Sequence, residues 1–245
     1  MRGCSLKFCV LLLLCTGIAS TVATQAAELA DAADTIVENY CAASRDQARL
    51  VQGVSMDMDV SASLPKFQKR GRLHALRRIS ALGRITYEKL FFEGDGTVKN
   101  QVIARYLTAE AEAQRAQAPS LAVTPENYKF KYKGRSRLNG RDVHVFQVTP
   151  KQKRQGLFQG EVWIDAGTYL RVQESGHLVK NPSIFLKRIE FVRTYEIRDG
   201  ISVPRQVQSV VQARVFGKAE LTIDFSNFSI DGSKRDAAAD NEGQQ

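Results

Sequence analysis

The chain alternates apolar and polar residues over most of its length. Residues 52–60 show this period of two most clearly, because apolar side chains occupy every second position. Successive side chains of a strand point to opposite faces, so this pattern predicts half-buried β-strands. The same period recurs in segments 128–133, 160–165, 201–207 and 221–225.

Turn-forming residues separate the alternating segments. Asn139-Gly140 and Asp199-Gly200 supply the positive backbone angles that two-residue hairpins require, and further turn signals lie at 94–96, 165–167 and 216–218. About ten strands at this spacing predict one antiparallel sheet. A sheet of that width should curl rather than stay flat.

Two segments have a helical pattern instead. In residues 28–48, apolar side chains recur every three or four positions. Residues 107–117 are rich in Ala, Glu and Gln, which favour helices, and Pro119 ends the segment. This short helix is either a lid or a plain exposed crossover. We therefore predict a mainly β protein with a few helices, in which the curved sheet wraps around an N-terminal helix and a short lid helix.

The two ends of the chain differ from the middle. Residues 1–26 read as a secretory signal peptide, with a positive start, a short apolar run and small residues, cleaved after Ala23 or Ala26. The apolar run of about 11 residues is short for a membrane span, so no retained transmembrane segment is expected. Residues 231–245 are polar and without period, which predicts a disordered tail. A single domain over residues 27–230 remains.

Charge and cysteine content narrow the class of partner. The mature chain keeps Cys41 alone, so it forms no internal disulfide. Removal of Arg2 and Lys7 leaves 33 basic and 26 acidic residues, a net charge of +7. For an exported protein this charge favours anionic lipid head groups, lipopolysaccharide or wall polymers over nucleic acid, and no nucleic-acid partner is expected.

The sequence carries no recognisable catalytic or metal-binding constellation. His74, His144 and His177 lie far apart, and there is no Cys-x-x-Cys, no Gly-x-Ser-x-Gly elbow and no glycine-rich phosphate loop. We therefore predict a protein that is not an enzyme and has no catalytic residues, cofactor or metal ion.

Two sets of side chains are candidates for binding. Large apolar residues of the curled sheet would line either a filled core or an acyl-sized cavity. The candidate cavity residues are Met56, Met58, Leu90, Phe92, Tyr106, Phe130, Tyr132 and Trp163. A basic run begins at Lys66 and forms either an anionic contact surface or a solvated, edge-protecting strand face. Its candidate residues for a lid tether or an anionic surface are Arg70, Arg72, Arg77 and Arg78.

The order of these elements resembles the outer-membrane lipoprotein-sorting (LolA/LolB-like) superfamily. The leading helix and the strand at 52–60 are similar to the start of that family. Segments 132–150 and 160–172 resemble its central strand and the strand pair after it. The resemblance covers most of residues 28–230 and identifies a distant member.

The resemblance implies a periplasmic half-barrel with an apolar cavity for acyl chains. The implied function is binding or carriage of lipid or lipoprotein acyl chains in envelope biogenesis. The alternative is an RseB-like envelope-stress sensor or interaction module without a transport role. In the carrier branch an arginine on an early strand tethers the lid, and Arg72 and Arg77 fall in the comparable stretch. An inner- or outer-membrane protein or an anionic membrane surface is a further implied partner.

Overall fold

A single ten-stranded sheet dominates the computed structural model, which describes residues 18–50, 53–80, 84–115, 121–182, 184–215 and 217–230. The strands are β1 Val54–Leu64, β2 Lys69–Ile79, β3 Ile85–Gly94, β4 Tyr128–Leu138, β5 Arg141–Pro150, β6 Phe158–Asp165, β7 Arg171–Leu178, β8 Leu186–Arg198, β9 Ile201–Ala213 and β10 Gly217–Ile230.

All neighbouring strands are antiparallel, in the order β3-β2-β1-β10-β9-β8-β7-β6-β5-β4. Strands β3 and β4 form opposite edges and do not pair, so the sheet is a half-barrel rather than a closed barrel. The predicted fold class is therefore confirmed.

The alternation seen in the sequence separates the two faces of the sheet. Along β1, Met56 and Met58 are buried, whereas Asp59 is exposed and bonds to His74 of β2 at 2.8 Å. The apolar face carries the helices, and we call it the inner face. The outer face of β1 and β2 is mainly polar.

Hairpin geometry follows the turn residues. Asn139 and Gly140 join β4 to β5 with φ of 50° and 82°, and Asp199 and Gly200 join β8 to β9 with φ of 49° and 74°. These residue types adopt the left-handed region at low cost, which fixes the register of both hairpins.

The helices lie before β1 and between β3 and β4. Helix α1 spans Ile18–Leu50, and so begins earlier than the predicted start at residue 28. Helix α2 (Gly96–Val98), a π-helical stretch (Lys99–Ile103) and helix α3 (Ala104–Arg115) follow one another without a break, and a 3₁₀ turn spans Pro65–Phe67. We call residues 96–115 the lid segment.

Some predictions fall on parts of the chain that the structure leaves out. Residues 1–17 of the predicted signal peptide, residues 116–117 of the predicted short helix and the predicted tail at 231–245 lie outside the described residues. Over the described ranges, no helix is both long and apolar enough to cross a membrane.

Apolar side chains of the inner face form two clusters. The first lobe is built from β1, β2, β9 and β10 together with the lid segment, and centres on Met58 and Ile223. The second lobe is built from β4, β5, β6 and β8 together with α1, and centres on Phe146 and Ile164. A helical element therefore covers each half of the inner face.

Candidate functional site

An N-cap residue, Asp95, marks the start of the lid segment. Asp95 accepts hydrogen bonds from the backbone N–H groups of Thr97 at 2.7 Å and Val98 at 3.3 Å. Lys69 of β2 lies 3.2 Å from the Asp95 carboxylate and donates to the Thr97 hydroxyl at 3.0 Å. The turn signal at 94–96 is therefore a helix start, because the Asp95 side chain satisfies N–H groups that a new helix leaves unpaired.

The lid segment buries its apolar side in the first lobe. Val98 and Ile103 are fully buried there, and Tyr106 and Leu107 pack against the same cluster. The predicted short helix is thus a cover over the apolar sheet face rather than an exposed crossover.

Arg77 of β2 holds the middle of α3 to the sheet. Its guanidinium lies 3.0 Å from the Glu110 carboxylate and is almost completely buried. The hydroxyl of Tyr87, the neighbour of Arg77 on β3, donates to the same carboxylate. Burial and the adjacent Glu110 charge raise the pKa of Tyr87, so the hydroxyl keeps its proton and remains a donor.

The surroundings of Arg77 are largely apolar. Its guanidinium carbon lies 5.9 Å from the Phe225 ring centroid, and one amino group lies 3.8 Å from the Met56 sulfur. Its buried Nε has no hydrogen-bond partner among the described residues. In such surroundings Glu110 is the group that balances the buried charge, so the ion pair and the closed lid depend on each other.

Helix α1 is fastened to the second lobe in a similar way. Val37 and Tyr40 are buried in the cluster of β4, β5, β6 and β8. Farther along α1, the Gln47 amide bonds to both the backbone carbonyl and the N–H of Ser202, each at 3.1 Å. These two hydrogen bonds hold the C-terminal end of α1 against β9.

A charged cluster lies on β7 and β8, between the two lobes. Glu174 is fully buried and accepts hydrogen bonds from Arg171 at 2.6 Å and Tyr195 at 3.0 Å, and Arg193 lies 3.5 Å away. Both guanidiniums are partly exposed. Two arginines face one carboxylate, so the cluster carries one net positive charge.

Burial and the neighbouring charges have opposite effects on the pKa of Glu174. Burial disfavours the ionised form of Glu174, but Arg171 and Arg193 outweigh it, and the pKa of Glu174 lies below its ordinary value. Burial, with Glu174 nearby, raises the pKa of Tyr195 to about 12. Glu174 is therefore a carboxylate and Tyr195 a neutral donor at neutral pH.

The predicted cavity residues separate into groups. Met56 and Met58 lie in the first lobe, with Phe92 and Tyr106 against it. Phe130 and Tyr132 pack against the second lobe, Trp163 belongs to a small cluster on the outer face with Val143 and Val145, and Leu90 is exposed on the edge strand β3. Six of the eight thus lie on the inner face, and their role as ligand contacts stays a prediction.

The four predicted arginines also separate. Only Arg77 points to the inner face, where it contacts the lid segment. Arg70 and Arg72 are exposed on the outer face, and Arg78 pairs with Glu88 at 3.1 Å. The lid contact is therefore made by Arg77 and not by Arg72.

Sequence reasoning missed the partners of these groups. Glu110 looks like any charged residue of an exposed helix, and Tyr87 lies on a strand whose period is weak. Glu174 belongs to no recognisable sequence motif. The one available signal was a carboxylate three residues after Arg171 in an otherwise strand-like segment.

The central apolar residues of both lobes are buried, and Met58, Ile223, Phe146 and Ile164 are each at most 1% exposed. Beside Met56, Val203 and Phe225 a cavity of about 10 Å³ has room for at most one water molecule. A larger groove of about 340 Å³ lies on the outer face and is lined by polar side chains that include Gln147, Glu161 and His177. Among the residues that the structure describes, no three His, Cys, Asp or Glu side chains come together as a metal site.

Comparison with known proteins identifies a family and a shared fold. Residues 88–228 match DUF5686, a family of unknown function, over more than half of the chain. No curated protein matches the sequence.

Three solved structures illustrate the fold similarity. A DUF1329 family protein from Desulfovibrio piger is 15% identical, with 79% of this chain and 92% of that chain covered and a TM-score of 0.44. The LolA superfamily protein NE2245 from Nitrosomonas europaea is 11% identical, with 80% and 92% covered and a TM-score of 0.37. MucB of Pseudomonas aeruginosa, in complex with MucA, is 12% identical, with 76% and 93% covered and a TM-score of 0.25. The distant resemblance predicted from the sequence is confirmed, and it concerns the fold.

Proposed function

The chain belongs to DUF5686, a family of unknown function, and we propose that it is a periplasmic, non-catalytic binder or carrier of lipid or lipoprotein acyl chains. The observation that carries this proposal is an apolar sheet face covered by a helical segment that a buried ion pair holds in place. The proposed location rests on the signal-peptide pattern of residues 1–26.

An acyl chain would take the place of lid side chains. The first lobe is filled by its own residues and by Val98 and Ile103, so cargo binds by displacing the lid segment rather than by entering an open cavity. Each buried methylene contributes about 0.8 kcal/mol, so a chain of about 12 methylenes gains about 10 kcal/mol before the cost of opening. This gain is large enough to offset displacement of a few apolar side chains.

The Arg77–Glu110 pair would act as the latch of the lid. Opening separates the two charges and leaves Arg77 on an apolar face, which favours return to the closed state once the cargo leaves. The latch therefore makes binding reversible, as a carrier requires.

The charged cluster on β7 and β8 suits the head of an amphiphile. Arg171 is close enough to Tyr40 of α1, and Arg193 to Tyr106 of the lid segment, for each pair to interact electrostatically. A carboxylate or phosphate head group would meet one net positive charge there, beside the apolar first lobe.

A fluorescent fatty-acid titration tests the proposed function. We expect saturable binding by the full chain, and about a threefold to tenfold faster association for Glu110→Gln, since the variant weakens the latch without removing an apolar contact. Glu88→Gln is the matched control, because it breaks the exposed pair with Arg78. A wild-type chain that never binds the probe would overturn the proposal.

An interaction module is the second candidate, and the edge strand β3 favours it. Leu90 and Phe91 are exposed on this strand, whose free edge could pair with an extended segment of another protein. The titration separates the two candidates. An interaction module would leave the probe unbound, and Glu110→Gln would change nothing.

A further inference from the structure

Three neighbouring turns at one end of the sheet expose large apolar side chains. They are the β1–β2, β7–β8 and β9–β10 turns, which we call the turn end. The exposed fractions of its apolar side chains are 44% for Phe67, 81% for Ile184, 54% for Phe185 and 59% for Val215. Soluble monomers rarely expose such side chains together, so this grouping points to a contact surface.

Hydrogen bonds and close packing join the three turns into one surface. The backbone N–H of Arg214 donates to the carbonyl of Phe185 at 2.8 Å, and its Nε donates to the carbonyl of Ile184 at 3.1 Å. On the other side, a Cβ placed on Gly217 would lie 3.7 Å from Cδ of Lys66. The apolar tips are therefore neighbours.

The β7–β8 loop, which carries the most exposed of these side chains, also contains two side-chain hydrogen bonds. The Asn181 amide donates to the backbone carbonyls of Leu186 and Lys187, each at 3.0 Å. These bonds tie Asn181 to the first residues of β8, beside Ile184 and Phe185. The two exposed apolar side chains therefore lie next to a hydrogen-bonded part of the loop.

The charge around the apolar tips is mainly positive. Segments 65–69, 179–187 and 213–218 contain no Asp or Glu. Their basic residues are Lys66, Lys69, Lys180, Lys187, Arg214 and Lys218. Lys69 and Lys218 pair with Asp95 and Glu220 of adjacent segments, whereas the loop that carries Ile184 has basic residues at both ends.

We propose that the turn end docks on an anionic lipid bilayer, with Ile184 and Phe185 at the level of the head groups. Apolar tips and basic residues are the two signals that together give stable attachment to a membrane surface, because basic residues are attracted to anionic head groups. A protein partner would complement the apolar tips equally well, but a mainly basic rim fits a uniformly anionic surface.

The docked orientation also relates to the lid. The backbone N–H of Asp95, at the start of the lid segment, bonds to the carbonyl of Arg70 at 2.9 Å, close to the β1–β2 turn. Docking would therefore bring the capped start of the lid segment to the membrane. The docking itself does not depend on any acyl cargo.

Vesicle flotation tests the proposal. We expect the full chain to float with vesicles of phosphatidylcholine and phosphatidylglycerol in equal parts, much less with phosphatidylcholine alone, and less as salt rises from about 0.1 M to about 0.5 M. The double change Ile184→Ser and Phe185→Ser should lower the floated fraction about tenfold. The matched control is Leu90→Ser with Phe91→Ser, because those side chains are 57% and 62% exposed on β3.

A charge pair gives a second, independent readout. Lys66→Glu with Lys180→Glu should abolish flotation, whereas Arg135→Glu with Arg137→Glu, the same charge change on exposed residues near the opposite end of the sheet, should leave most of it. Equal losses in both pairs, equal flotation with neutral vesicles, or no flotation of the wild-type chain would each overturn the proposal. None of these outcomes bears on the fatty-acid titration, so the two proposals fail separately.

Discussion

Glu174 shows how a single carboxylate organises the middle of the sheet. It is fully buried, and it joins Arg171 on its own strand to Arg193 and Tyr195 on the next. Burying this charge is costly, but the two guanidiniums and the tyrosine hydroxyl offset the cost. The cluster holds two arginines on the apolar inner face, where both side chains are still partly exposed to solvent.

Replacement of Glu174 by Gln should destabilise the protein by about 2–3 kcal/mol, because Arg171 and Arg193 lose their counter-charge. The folded pKa of Glu174 lies below its ordinary value of 4.5, so its contribution is complete above pH 4.5 and is lost as the pH falls through the folded pKa. Urea unfolding at pH 7 and pH 3 should show a difference between wild type and variant that shrinks at pH 3. Glu190→Gln, on the exposed part of β8, is the control. An unchanged difference at pH 3 would contradict this role of the charge.

At this scale the sequence predicts the inner face better than the charged groups. Met56 and Met58 follow from alternation alone, since a residue two positions along a strand faces the same way. Glu174 and Glu110 do not follow from it. A buried ion pair joins residues far apart in the chain, and each partner alone looks like an ordinary surface charge.

At the scale of elements, the close contact of β6 and β7 shapes the sheet between the lobes. Gly160 and Gly176 pair directly across the two strands. A Cβ on Gly160 would lie only 1.9 Å from the Ser175 carbonyl oxygen. The strands can approach in this way only because neither residue has a side chain.

Gly160→Ala should therefore destabilise the protein by more than about 2 kcal/mol, since backbone atoms must move to admit the methyl group. The matched control is Gly96→Ala at the start of the lid segment, where a Cβ would meet nothing within 4 Å. Thermal unfolding of both variants measures the contrast. An unchanged melting temperature for Gly160→Ala would contradict the claim that the strands leave no room for a side chain at this position.

The elements that could be predicted are those whose own sequence decides their structure. Alternation of apolar and polar residues predicts the strands of a half-buried sheet, and the Ala and Glu content of α3 predicts a helix. Residues 96–103 could not be predicted, because Val and Thr there disfavour a helix. The cap by Asp95 and the burial of Val98 and Ile103 in the first lobe outweigh that preference.

At the scale of the whole molecule, the half-barrel divides its apolar interior between two covers. Helix α1 lies over one lobe and the lid segment over the other, and the charged cluster lies between them. A filled core and an acyl cavity share the same sequence pattern, so only the structure could show that Val98 and Ile103 of the lid segment lie within the first lobe. Binding by displacement of the lid segment follows from that arrangement.

Photo-crosslinking with a diazirine-bearing fatty acid tests this account most directly. Labelled positions are mapped by mass spectrometry of peptides from the irradiated full chain. We expect label on first-lobe residues under the lid segment, such as Met56, Met58 and Phe92, and more of it in Glu110→Gln. Label confined to exposed residues such as Leu90 and Phe91, with none beneath the lid segment, would contradict acyl binding on the inner face.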